Sequence, residues 1–157
     1  MMRAEMADSA AEQTIAIERV FDAPREVVWR EWTEPERFAD WYGGSVCEIP
    51  IETVSMDVRP GGRWRATMYC QPARREIRWA GEYVEVEEPE RLVLTVTDRP
   101  EEPERALLTV ELNELGGERT EMRFEQRGPM KPGQPEAATS GWGTFFDRID
   151  ERLTAGA

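Results

Sequence analysis

The side chains that carry most enzyme chemistry are scarce in this sequence. Histidine, the usual side chain for proton transfer near neutral pH and the commonest metal ligand, is absent. Histidine triads and zinc–histidine sites are therefore excluded, and with two cysteines so is a four-thiolate zinc site. The glycine pairs Gly61-Gly62 and Gly116-Gly117 are typical of hairpin turns rather than of nucleotide-binding loops. We expect no metal and no cofactor.

If the protein were an enzyme, acid–base chemistry would fall to a carboxyl group or to a tyrosine. Asp98 and Tyr83 are the two candidates that strand alternation turns inward. Cys70, alone on an apolar strand face, is more typical of a small buried hydrophobe than of a nucleophile. Because Cys47 and Cys70 are too few for a disulfide framework, we expect reduced thiols and a cytoplasmic protein.

Three polar side chains fall on the predicted inward faces: Arg19, Asp98 and Gln126. A buried polar group without a partner costs about 1–3 kcal/mol, so each of them needs a contact. Arg19 and Gln126 could anchor a ligand carbonyl or carboxylate, to which arginine can offer two parallel hydrogen bonds. The alternative is structural: an ion pair within the protein, or a strand end where the side chain reaches water.

Length and charge set limits on the partners. The chain has 157 residues and a net charge of −12, which suits one domain and opposes binding to the phosphates of nucleic acid or of an anionic membrane. No run approaches the roughly 20 apolar residues that cross a bilayer, so membrane insertion is not expected. We predict a disordered tail over residues 1–13, a single domain over 14–157, and a monomer or weak homodimer.

The order of secondary structure predicts an α+β fold. Alternation over 14–21 indicates a strand, and Asp22-Ala23-Pro24 begins a helix that ends near Trp32. The capping-box spacing Thr33-Glu34-Pro35-Glu36 begins a second short helix, which runs to about Trp41. Helical spacing returns over 135–153. Between these helices, turn residues separate six predicted strands: 46–58, 63–70, 76–87, 91–98, 106–114 and 118–127.

Several short segments, in this order along the chain, are similar to one known family. They are Ile17-Glu18-Arg19-Val20-Phe21-Asp22-Ala23-Pro24, Val28-Trp29, Pro35, Trp41, Arg59-Pro60-Gly61-Gly62-Arg63-Trp64, Gly81-Glu82-Tyr83, Pro89-Glu90-Arg91-Leu92-Val93 and Gly141-Trp142. Over about residues 14–155 the chain resembles the activator of heat-shock-protein-90 ATPase homologue family, of the START-like, birch-pollen-allergen-like superfamily. The resemblance implies a helix-grip fold: a curved antiparallel sheet of about seven strands around a long C-terminal helix, with a cavity between them.

The residues that would line this cavity follow from alternation, because residues two apart on a strand share a face. The predicted lining is rich in aromatic rings and methionine, which suit a planar apolar guest. It comprises Trp41, Trp64, Met68, Trp79, Tyr83, Val96, Asp98, Val110, Met122, Phe124, Trp142 and Phe146. The alternative is that these side chains form an ordinary packed core.

Charge is segregated along the chain. The segment 59–78 carries a net charge of +5, whereas 82–104 carries −7. If these strands are neighbours, Arg63, Arg65 and Arg78 would face Glu82 and other acids across the outer surface. We expect a solvated ion-pair face, and docking of an acidic protein surface is the alternative.

These observations favour binding without catalysis: one small lipophilic molecule, aromatic or polyketide-like, enclosed in the cavity. A second hypothesis is an enzyme of the polyketide cyclase or aromatase kind, which some START-like relatives resemble, with Asp98 or Tyr83 in catalysis. The third is the cochaperone activity in the family name. We place it last because the eukaryotic activators carry an additional N-terminal domain, for which we expect no room here. One fold hosts many functions, so the resemblance alone does not choose among the three.

Overall fold

A computed structural model describes residues 11–155 as one antiparallel sheet with a long helix packed on it. The helices are α1 (Arg25–Thr33), α2 (Pro35–Trp41) and α3 (Gln134–Ala155), with one 3₁₀ turn at Ile51–Thr53. The strands are β1 (Ala11–Phe21), β2 (Cys47–Glu48), β3 (Ser55–Met56), β4 (Arg63–Cys70), β5 (Arg75–Glu87), β6 (Arg91–Val96), β7 (Ala106–Glu114) and β8 (Thr120–Met130). The predicted α+β helix-grip fold is confirmed.

The sheet contains eight strands in the order β1-β8-β7-β6-β5-β4-β2, with β3 paired to β4 outside this path. The strands β4 to β8 follow one another as neighbours, so hairpin turns connect them as the turn residues predict. The first strand instead crosses the sheet to pair with the last one, in a register that sets Ile17 opposite Phe124. Strand β1 is therefore the edge strand on one side of the sheet, where it contacts helix α3.

Four local predictions differ from the structure. Strand β1 begins at Ala11 rather than at residue 14, while residues 1–10 of the predicted tail lie outside the described residues. The predicted strand 46–58 is broken into β2, a 3₁₀ turn and β3, because Pro50 has no N–H to donate to a ladder. The predicted capping box is also wrong, because Thr33 is the last residue of α1 and does not begin the next helix. Its hydroxyl donates a hydrogen bond to the carbonyl of Trp29.

The fourth difference concerns the end of strand β6. The predicted strand 91–98 stops at Val96, and beyond it only an isolated bridge joins Thr97 to Ala80. Asp98 lies beyond the end of the strand and is exposed. Asp98 is therefore not buried with the other predicted lining residues, because alternation determines side-chain direction only while the strand continues. Its place at the mouth of the interior stays a prediction.

Helix α3 lies on the sheet through one apolar face. Trp142, Phe146 and Ile149 are buried and follow one another at spacings of four and three residues, which place them on one stripe of the helix. Exposed acids, among them Asp147 and Asp150, lie outside this stripe. In the part of the chain that the structure describes, no helix is both long and apolar enough to cross a bilayer.

A disulfide bond joins Cys47 of β2 to Cys70 of β4. The two residues lie directly opposite each other in the register of these strands, with their Cα atoms 4.1 Å apart. The expectation of reduced thiols is therefore wrong for this structure. The two cysteines are 23 positions apart in the sequence. They meet only because β2 pairs with β4 at the edge of the sheet. The cytoplasmic setting stays a prediction.

Reduction of this disulfide should lower the free energy of unfolding by about 3 kcal/mol, because the unfolded chain regains the freedom of a loop of this length. Urea unfolding with and without a phosphine reductant measures the loss. The Cys47→Ser/Cys70→Ser double variant is the control, and its stability should not respond to the reductant. Two free thiols in the protein purified without reductant, detected by alkylation and mass spectrometry, would contradict the bond.

Candidate functional site

The space between the sheet and helix α3 is filled by a cluster of aromatic rings centred on Trp32. Its ring centroid lies 4.8 Å from that of Trp41, and 6.1 Å from those of both Phe124 and Phe146. Trp142 stacks on the same ring at 6.3 Å and approaches Phe124 to 4.5 Å. Aromatic rings at these separations are in favourable packing contact. Four of the predicted lining residues, Trp41, Phe124, Trp142 and Phe146, therefore pack around this ring.

A second group of rings surrounds Tyr42, which follows helix α2. The centroid of Tyr42 lies 5.7 Å from that of Trp79, 5.4 Å from that of Phe145 and 5.8 Å from that of Trp142. Trp79 and Phe145 are half-buried, so they form a rim where the aromatic interior meets the solvent. The sequence analysis missed Tyr42 because it lies in no strand, although the aromatic pair that precedes Gly43, Trp41-Tyr42, is visible in the sequence.

Most of the predicted lining is buried as alternation requires. The buried members are Trp41, Trp64, Met68, Tyr83, Val96, Val110, Met122, Phe124, Trp142 and Phe146. Trp79 is half-buried and donates its indole N–H to the sulfur of Met68 at 3.5 Å. The structure thus brings together every predicted lining residue except Asp98. A role for them in holding a ligand stays a prediction.

The two predicted polar anchors hold helix α3 on the sheet. Arg19 donates to the carbonyl oxygen of Gly143 at 2.9 Å and pairs with Asp147 at 2.8 Å. The side-chain oxygen of Gln126 accepts a hydrogen bond of 2.7 Å from the indole N–H of Trp142. Of the two alternatives for these residues, the contact within the protein is the one observed here. These bonds occupy the side-chain oxygen of Gln126 and one terminal nitrogen of Arg19.

Two buried polar groups of the interior have no hydrogen-bond partner among residues 11–155: the indole N–H of Trp32 and the hydroxyl of Tyr83. Burial raises the pKa of Tyr83 above its ordinary value, with a smaller contribution from the charge of Asp57. Burial likewise raises the pKa of Tyr42, and the carboxylate of Asp98 adds to the effect. Both phenols therefore stay protonated and can donate a hydrogen bond.

The one charged residue buried in the described chain is Glu31 on helix α1, which is 1% exposed. Its carboxylate accepts a hydrogen bond from Arg152 of α3 at 2.7 Å, and Arg37 approaches it to 3.4 Å. Arg152 also contacts the carboxylate of Asp40. The sequence analysis missed this cluster, although Glu31 lies three residues after Val28 on the buried stripe of the helix.

The outer face carries fewer ion pairs than predicted. Arg63 lies opposite Glu82 in the sheet register, with 3.9 Å between the charged atoms. Arg65 lies opposite Ala80, and Arg78 lies opposite Thr67. Neither of these two arginines has a carboxylate within 4.0 Å in the described part of the chain. The prediction of acids facing all three arginines is therefore wrong for Arg65 and Arg78, because the register sets uncharged residues opposite them.

Comparison with known families agrees with this architecture. The family model described as "Activator of Hsp90 ATPase homolog 1-like protein" matches residues 22–154, which include every element from α1 to nearly the end of α3. The chain belongs to this family. Comparison with the curated proteins gave no match. Among residues 11–155, no group of three or more acidic or cysteine side chains is placed to hold a metal ion.

Solved structures share the fold of this family member over nearly the whole chain. A protein from Chromobacterium violaceum is 24% identical with a TM-score of 0.80, and the match covers 89% of this chain and 96% of that one. A protein from Nitrosomonas europaea is 26% identical with a TM-score of 0.75, covering 91% and 95%. An AHSA1-like protein from Aeromonas hydrophila is 20% identical with a TM-score of 0.75, covering 92% and 94%.

Replacing Arg152 by methionine should destabilise the protein by about 3 kcal/mol, because the buried carboxylate of Glu31 loses its closest charged partner. Urea unfolding measures the change. The matched control is Arg148→Met, which removes only exposed pairs and should cost less than about 1 kcal/mol. The double variant Glu31→Gln/Arg152→Met should regain part of the loss. Equal effects of the two arginine variants would show that burial of Glu31 does not matter.

The two buried tyrosines should make the protein less stable at high pH. Below the ordinary tyrosine pKa of about 10, both phenols are neutral in the folded and the unfolded chain. Above it the unfolded chain ionises while the folded one keeps its protons, so stability falls by up to about 1.4 kcal/mol per pH unit for each tyrosine. Urea unfolding between pH 9 and about pH 11 should show this decline. The same slope in Tyr42→Phe/Tyr83→Phe would contradict it.

Proposed function

We propose that this protein binds one small lipophilic molecule, with an aromatic or polyketide-like ring system and a carbonyl group, between the sheet and helix α3. The observation that carries the proposal is the buried indole N–H of Trp32, which lies among the rings of the aromatic cluster and has no hydrogen-bond partner among residues 11–155. The hydroxyl of Tyr83 is a second buried group without a partner there. A buried polar group without a partner costs about 1–3 kcal/mol, and a ligand carbonyl would remove that cost. The surrounding rings would stack on its planar body.

Binding requires the interior to open, because its rings are in mutual contact. Trp142 is the residue that must move, since it contacts both Trp32 and Phe124 and belongs to helix α3 rather than to the sheet. Its neighbours Gly141 and Gly143 weaken the helix by about 1 kcal/mol each relative to alanine. The half-buried rings of Trp79 and Phe145 mark the place where a ligand would enter.

The observations favour binding over catalysis. The cyclase-like alternative relies on Asp98 or Tyr83, and Asp98 is exposed whereas Tyr83 is buried. The family description names activation of a chaperone ATPase, but the contacts described above point to no protein partner. The proposal therefore remains binding without catalysis, in a cytoplasmic monomer or weak homodimer.

Flavone is a suitable probe, because it is planar, apolar and carries one carbonyl group. We expect saturable quenching of tryptophan fluorescence, a higher melting temperature, and a 1:1 complex in native mass spectrometry. Phenylnaphthalene has a similar shape without the carbonyl group and should bind more weakly. No saturable binding of flavone, or of any fused-ring carbonyl compound in a broad library, would overturn the proposal.

Tyr83→Phe tests the hydrogen bond to the ligand. Loss of one neutral hydrogen bond should weaken flavone binding about threefold to tenfold while leaving phenylnaphthalene binding unchanged. The matched control is Tyr69→Phe, because the Tyr69 ring packs against Arg74 at 4.3 Å and lies on the outer face of β4. Equal affinities of the two variants for flavone would exclude Tyr83 as the contact.

A further inference from the structure

A hollow of about 710 Å³ lies on the outer face of the sheet, and the indole of Trp64 reaches it from the aromatic interior. Arg63 and Arg65 on β4 and Ala80 and Glu82 on β5 form its base, and Pro100 belongs to the loop that forms its wall. The arginines and Glu82 are exposed, as expected for residues whose neighbours in the strand point inward. The volume lies within the range of about 300–1,000 Å³ that small-molecule sites occupy.

The backbone builds this hollow where β5 and β6 stop pairing regularly. The ladder between them includes Tyr83 opposite Leu94, and beyond it only the isolated bridge of Ala80 follows. At this point the indole N–H of Trp64 reaches the carbonyl of Thr95 at 3.0 Å. A side chain at Gly81 would collide with that carbonyl and come within 2.5 Å of the indole nitrogen, so glycine is required.

The loop between β6 and β7 forms the other side of the hollow. Pro100, Pro103 and Arg105 line it from this loop. The guanidinium of Arg105 donates to the carbonyl of Glu104 at 2.9 Å and to those of Pro100 and Glu102, which ties the loop together. Neutral carbonyl oxygens hold this guanidinium in place, and within residues 11–155 no carboxylate pairs with it.

The charges around the hollow leave a positive excess. Three arginines and one acid line it, and the acid, Glu82, is 3.9 Å from Arg63. Arg65 has no carboxylate within 4.0 Å among residues 11–155, since it lies opposite Ala80. A chain with a net charge of −12 thus presents a basic concavity. Its free guanidinium has five N–H donors in a planar fork.

We propose that this hollow binds a small organic carboxylate. The anionic end would lie on the guanidinium of Arg65, with Arg63 beside it, because the fork of arginine matches a carboxylate with two parallel bonds. The apolar body would lie against Ala80 and the two prolines of the loop. A nucleic acid does not fit, because its many phosphates would meet the net negative charge of the rest of the chain.

Naphthoate and its neutral counterpart naphthalenemethanol test the proposal on the whole protein. Naphthoate should bind in a saturable manner and shift the amide resonances of Arg65, Gly81 and the loop, while naphthalenemethanol should bind at least about tenfold more weakly. Raising the salt concentration should weaken naphthoate binding. No saturable binding of naphthoate, or equal binding of the neutral compound, would overturn the proposal.

Two exposed arginines of neighbouring strands provide matched variants. Arg65→Gln should weaken naphthoate binding about tenfold or more, because it removes a charge-assisted contact. Arg78→Gln should leave it unchanged, since Arg78 does not line the hollow. Both side chains are exposed, so equal melting temperatures will show that both variants fold. An equal loss of naphthoate binding in the two variants would mean that general surface charge causes the effect, and it would overturn the proposed site.

The ligand contacts proposed for this site differ from those proposed for the interior site. Tyr83→Phe should not change the affinity for naphthoate, and Arg65→Gln should not change the affinity for flavone. If naphthoate does not bind, the proposal for the interior site is unaffected. If flavone does not bind, the proposal for the outer hollow is unaffected. Loss of naphthoate binding in Tyr83→Phe, with Arg65→Gln unaffected, would assign naphthoate to the interior and overturn the outer site.

Discussion

The contact between Trp142 and the rings of Trp32 and Phe124 is the interaction on which the rest of the structure depends. A curved sheet and a straight helix cannot follow each other's surface, so large side chains must fill the space between them. The three rings fill this space from helix α3, helix α1 and strand β8 respectively. The indole N–H of Trp142 also donates to Gln126 at 2.7 Å, which fixes the ring in orientation. Removing this residue would leave sheet and helix with little shared surface at this point.

Charged contacts hold the same helix at two further places. Near its middle, Arg19 of β1 donates to the carbonyl of Gly143 and pairs with Asp147. Near its end, Arg152 contacts the buried Glu31 of α1. The second contact is the more demanding, because a buried carboxylate needs its partner, whereas exposed pairs contribute little. The C-terminal half of helix α3 therefore has the contact that costs most to break. Its N-terminal half, with two glycines and Trp142, is the half that an entering ligand would displace.

The two proposed sites lie on opposite faces of the same pair of strands. On β4, Trp64 faces the interior while Arg63 and Arg65 face outward, and on β5 Tyr83 faces the interior while Glu82 faces outward. Alternation lets one strand supply apolar contacts on one side and charge on the other. Gly81 lies between the two sites, because its missing side chain leaves room for both the Trp64 indole and the Thr95 carbonyl.

The sequence predicted what depends on local spacing. The alternation of Trp64, Ala66 and Met68 placed these residues on one face, and the spacing of Trp142, Phe146 and Ile149 placed the long helix on the sheet. These predictions hold because the periods of strand and helix follow from backbone geometry within a few residues. The family resemblance supplied the arrangement of sheet and helix, which periodicity does not contain.

Only the tertiary structure decided which distant residues meet. It joined Cys47 to Cys70, buried Glu31 beside Arg152, and ended strand β6 before Asp98. It also decided that the aromatic rings touch one another, although the sequence had placed most of them in the interior. The physical reason is that alternation determines the direction of a side chain, whereas pairing, burial of charge and remaining space depend on how far apart the packed elements lie.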